Sequence, residues 1–129
     1  MISAYQLALL ALGGALGAVA RFLLSLGCDK LFGLAFPYGT LIVNLLGSLC
    51  IGVLAAWFAS RPDLGMLWRT TLMVGFLGAF TTFSSFSLET WHLLQIGETG
   101  KALLNITMNI GLCISAVWLG IILTQQRVG

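Results

Sequence analysis

Gly75-Phe76-Leu77-Gly78-Ala79-Phe80-Thr81-Thr82-Phe83-Ser84-Ser85-Phe86-Ser87 lies inside an apolar stretch long enough to cross a bilayer. Its two glycines, two threonines and three serines weaken an α-helix at that place. Hydrocarbon offers backbone N–H and C=O groups no partner, so non-helical backbone at membrane depth is tolerated only against protein, a bound ion or a water-filled route. The stretch therefore predicts a membrane helix broken near the bilayer midplane, and with it the passage of an ion or solute.

The rest of the chain agrees with a membrane setting. Its 129 residues are 59% hydrophobic and 8% charged, with a mean hydropathy of +1.03; a soluble domain carries about 25% charged residues. A spanning helix needs about 20 mostly apolar residues. Four such stretches fit, over residues 5–26, 38–59, 67–94 and 101–124, and leave nothing for a soluble domain. The expected fold is one all-α integral membrane domain over residues 1–129. Residues 1–6 carry no positively charged side chain, so the first stretch reads as a retained helix and not as a secretory signal. Tyr5, Tyr38, Trp57, Trp68, Trp91 and Trp118 fall near the ends of the spans, where aromatic rings settle at the headgroup level.

Charge placement speaks to assembly. Arg61, Arg69 and Arg127 lie on the side that holds the N-terminus, and Arg21, Lys30 and Lys101 on the other, three against three. Orientation follows the side richer in Lys and Arg, so this balance allows insertion both ways. Two oppositely oriented copies would pair about an axis in the membrane plane. Four helices are also few to enclose a polar route alone, and an antiparallel dual-topology homodimer is expected. The net charge of +2 is small and scattered; it gives no footing for nucleic acid, and no run of Lys and Arg marks a lipid-binding patch. Three cysteines without metal or disulfide spacing read as small apolar side chains. Pro37 and Pro62 flank the second span, and the connections are expected over residues 27–36, 60–66 and 95–100.

Several polar residues recur at helical spacing. Gly13, Gly17 and Arg21 share one face of the first span, a seam for close helix contact. Arg21 reads either as an interfacial cation or as a group drawing anions into a vestibule. In the second span Thr40, Asn44 and Gly47 or Ser48 form a stripe; in the fourth, Asn105, Asn109 and Cys113 do the same. One intramembrane asparagine is commonly helix glue, whereas several on two spans suggest a track. Phe83 and Phe86 share a face of the third span, and Ser85 and Glu89 share its neighbour. The phenylalanines read as packing, or as electropositive ring edges that accompany an anion. No HExxH, Walker loop, GxSxG or Ser/His/Asp set occurs, and His92 is the sole histidine, so an enzyme is not expected.

Three segments, residues 13–21, 39–47 and 75–86, resemble in order the signatures of the Fluc (CrcB) fluoride channels. The resemblance covers the whole chain. It implies a passive fluoride-selective channel of the bacterial inner membrane, exporting fluoride from the cytoplasm to lower its toxicity. It also implies an antiparallel homodimer with a central structural sodium ion, held by the main-chain carbonyls of Gly78 and Thr81 from each subunit. On the same ground Phe83, Phe86, Asn44, Ser84, Ser85, Thr40, Glu89 and Arg21 belong to the fluoride pathway, with Asn109 in register with the family's fourth-helix serines. Bare fluoride in a low-dielectric interior would cost on the order of tens of kcal/mol, so donors must replace its water in several weak steps. A small multidrug exporter shares the size and span count, but it needs an acid in the first span and this one has none. A non-conducting scaffold subunit is the remaining alternative, in which the polar stripes are glue.

Overall fold

A computed structural model describes residues 1–129, all of them, and contains four helices long and apolar enough to span a membrane. The chain is an all-helical, multi-pass membrane protein. Helix α1 (Ala4–Phe32) opens on a reciprocal cap: Gln6 N donates to Ser3 Oγ at 3.2 Å and Ser3 N donates to Gln6 Oε1 at 2.8 Å. The helix does not stop where the apolar run thins. Asp29 and Lys30, expected in a loop over residues 27–36, form its last turns, and the connection is only residues 33–37. Lys30 suits the negative end of the helix dipole, and Gly33 ends the winding with φ of 78°, a conformation that side chains resist.

Helix α2 (Tyr38–Ala59) leads into a 3₁₀ turn over Pro62–Leu64. The third span, Pro62–Gln95, is composite. It comprises α3 (Gly65–Arg69), a π-helical stretch (Thr70–Leu77), α4 (Gly78–Phe80) and α5 (Phe83–Gln95). Residues 81 and 82 leave helical geometry altogether. Helix α6 (Thr99–Val128) runs past the expected 101–124 at both ends.

Packing rests on close backbone approach. A Cβ on Gly13 would stand 2.6 Å from Thr71 O, and one on Gly17 would overlap Phe76 O, so α1 lies directly on the π-helical stretch. A Cβ on Gly52 would likewise overlap Val117 O, which sets α2 against α6. Between these contacts Val43, Leu77 and Phe80 form a small core, flanked by Leu24, Ile51 and Phe76. Only 22 of 129 residues are buried, and large apolar side chains such as Phe22, Val74, Ile114 and Trp118 face outward. A surface of that kind is a liability in water and the natural one in lipid.

Candidate functional site

The site grows from two residues. Thr81 (φ −86°, ψ 158°) and Thr82 (φ −150°, ψ 114°) are extended, so the helical hydrogen-bond ladder stops where Thr81 N donates to Leu77 O at 3.0 Å. A helix end leaves its last carbonyls without donors, and buried ones need replacements. Two are supplied from distant elements: Arg21 Nε donates to Ala79 O and Asn44 Nδ2 to Thr82 O, both at 3.0 Å. The Thr82 amide, which in a continuous helix would serve Gly78, instead donates to Asn44 Oδ1 at 2.7 Å. The Ser85 amide, which would serve Thr81, donates to Thr82 Oγ1 at 3.1 Å and so caps α5. The carbonyls of Gly78 and Thr81 thus lose their helical partners, and no side chain takes their place.

Asn44 is held in turn. Its Nδ2 also donates to Asn109 Oδ1 at 3.0 Å; Asn109 Nδ2 donates to Asn105 Oδ1 at 2.9 Å; Asn105 Nδ2 donates to Thr90 Oγ1 at 3.0 Å. Thr90 Oγ1 closes the line on Phe86 O at 2.7 Å. Asn105 is wholly buried. This relay ties α2, α5 and α6 to the extended turn through fully paired amides, an arrangement that fixes geometry because each missing partner would strand a buried polar group. One turn from Asn44 and one from Phe86, Thr40 Oγ1 donates to Glu89 Oε1 at 2.7 Å, while Glu89 Oε2 is buried without a partner.

Beside the turn opens a cavity of about 400 Å³. Among the residues expected at a site, Asn44, Phe83, Phe86, Asn109, Gly78 and Thr81 line it together. Thr82, Ser48 and Cys113 join them. Ser84 and Ser85 stand one step back, their hydroxyls 3.2 and 3.0 Å from Thr82 Oγ1. Thr40 and Glu89 extend the α2–α5 contact beyond the cavity, and Arg21 lies on the α1 side of the turn as a carbonyl partner. Phe83 and Phe86 meet edge to face, ring centres 5.2 Å apart at 63°. Phe86 is 6% exposed, whereas Phe83 is 75% exposed and projects from the chain. Sequence reading named Asn105 in a polar line without placing it at the site, and passed over Thr82 and Thr90. The four-residue spacing of Asn105 and Asn109 was the available signal; the role of Thr90 depends on α5 meeting α6, which spacing does not reveal.

The sequence profile described as CrcB-like protein, Camphor Resistance (CrcB), matches residues 8–121. The chain belongs to the CrcB family. The fluoride-specific ion channel FluC of Magnetococcus marinus is 50% identical over 117 residues, 91% of this chain and 95% of that relative. The FluC of Shewanella amazonensis is 49% identical over 119 residues, 92% and 95% of the two chains. That of Methylococcus capsulatus is 46% identical over 117 residues, and the chain spans about half of its length (51%). Family membership joins the four spanning helices in describing a bacterial multi-pass membrane protein and not an enzyme.

Proposed function

We propose that this chain forms a passive, fluoride-selective channel that releases fluoride from the bacterial cytoplasm and thereby lowers its toxicity. The observation that carries the reading is the single cavity in which Asn44, Asn109 and the Phe83–Phe86 pair meet beside the unwound turn. Its relatives at about half identity are named fluoride-specific ion channels. Fluoride crossing there would be offered electropositive ring edges, hydroxyls of the Ser84–Ser85 turn, and amide protons of Asn44 and Asn109 that the relay already employs. Each offer is weak because it is shared. Weak serial sites suit conduction, since an ion held firmly anywhere would not leave.

The projecting Phe83 ring and the two carbonyls without donors both favour a second copy of the chain, antiparallel to the first, closing the pathway. No three His, Cys, Asp or Glu side chains converge, and the oxygens at the turn that have lost their donors are main-chain carbonyls. The carbonyls of Gly78 and Thr81 fit a hard monovalent ion, as unwound helix ends do in membrane proteins. Sodium held by these two groups from each of two copies would neutralise their dipoles and join the chains. The unwound turn lies about midway along the 34-residue third span, which supports a break near the bilayer midplane.

The test is a fluoride-electrode recording of proteoliposomes that carry Phe83→Ile or Phe86→Ile. Each variant is expected to lower fluoride efflux at least about tenfold, equivalent to one 1.4 kcal/mol increment in a barrier. Undiminished flux in both would remove the rings from the pathway and overturn the reading. A proton-coupled exporter of cationic drugs gains nothing from the structure, because α1 places no acid within the membrane and its Asp29 lies in the last turns at the membrane's edge.

A further inference from the structure

A second cavity, of about 580 Å³, opens where α2 gives way to α3. Two arginines far enough apart in sequence to read as scattered, Arg61 and Arg69, both line it. Neither guanidinium has a carboxylate partner: the one ion pair in the chain is Lys101 with Glu98, and Asp63 in the intervening turn does not line the cavity. Both side chains are exposed. Apart from Thr70 the remaining walls are apolar or glycine, with Phe58, Met66, Met73 and Val74 among them. Trp57 and Trp68, exposed on either side of the α2–α3 junction, mark this level as the membrane–water interface.

From this juxtaposition we propose that the cleft between α2 and α3 binds an anionic phospholipid, its phosphate clasped by Arg61 and Arg69 and its upper acyl carbons laid on Met73 and Val74. Guanidinium groups pair with phosphate oxygens in a two-pronged geometry, and arginine is favoured wherever phosphate is recognised. Basic pockets between membrane helices hold anionic headgroups for the same reason. A soluble anion would use the two charges and waste the apolar half of the cleft. A zwitterionic headgroup would bring an ammonium beside two guanidinium groups, neither of which is paired with an acid, and no acid lines the cleft to hold that ammonium. The proposal rests on the chain's membrane setting and on this cleft, and is independent of fluoride conduction.

Native mass spectrometry of the detergent-solubilised full-length protein tests it, with phosphatidylglycerol and phosphatidylcholine titrated side by side. The wild-type protein is expected to retain phosphatidylglycerol at lower lipid concentration than phosphatidylcholine by about fivefold per guanidinium. Arg61→Gln with Arg69→Gln should abolish that preference, and Arg127→Gln, which removes one positive charge away from the cleft, should keep it. Equal occupancy by the two lipids on the wild-type protein would overturn the proposal, and this outcome needs no variant to fold. So would a preference that survives the paired substitution, or displacement of the lipid by millimolar inorganic phosphate, which would reassign the cleft to a soluble anion.

Discussion

At the scale of single residues, Thr82 and Asn44 carry the most. Thr82 caps α5 through its hydroxyl while its amide and carbonyl are both held by one asparagine side chain. Removing the hydroxyl with Thr82→Ala should lower stability by about 0.5–2 kcal/mol, the usual cost of losing an N-cap. Thermal unfolding in detergent should show the loss, and Thr82→Ser should recover most of it; equal behaviour of the two variants would contradict the assignment. Asn44→Ala strands an amide and a carbonyl at once, at about 1–3 kcal/mol for each buried group left unpaired. Its melting midpoint should fall further than that of Thr82→Ala, because the relay through Asn109 and Asn105 loses its first member as well. Sequence made Asn44 and Asn109 legible as intramembrane amides that must find partners. It did not show that their partners would be the backbone of the third span and each other, since that depends on how α2, α5 and α6 meet.

At the scale of elements, the helices approach each other through glycine. A Cβ on Gly17 would overlap the Phe76 carbonyl, and helix interiors yield to such overlap only by moving apart. Gly17→Ala is therefore expected to destabilise by at least about 1–3 kcal/mol, the range for overpacking. Gly14, one position from the seam's centre, has 3.9 Å to its nearest neighbour, so Gly14→Ala should leave the melting midpoint unchanged or slightly raised. Similar losses in both variants would refute the close approach of α1 to the π-helical stretch. The four spans were readable because twenty apolar residues in a row have few alternatives. Their ends were less so: α1 carries Asp29 and Lys30 inside its last turns, where loss of apolar character at the interface looks like the start of a loop. The π-helical geometry of Thr70–Leu77 left no mark in composition, because the same aliphatic and small residues fill an α-helix equally well.

At the scale of the whole molecule, one chain leaves the site half enclosed. Phe83 stands 75% exposed, and two carbonyls at the unwound turn have lost their donors. A second, antiparallel copy would answer both, and fluorescently tagged protein at low density in membranes should bleach in two steps; single steps alone would mean that the monomer is the functional unit. The balanced charges on the two sides made such a pairing conceivable from the sequence, whereas the cleft uniting Arg61 and Arg69 became visible only once the α2–α3 junction was in view. The proposed selective passage of fluoride is the property from which the roles assigned to the turn, the rings and the amides all derive. Simultaneous recording of fluoride and chloride efflux from liposomes reconstituted with the purified protein tests it most directly. Rapid loss of fluoride with chloride retained is the predicted trace; fluoride held inside, or chloride leaving equally fast, would contradict it.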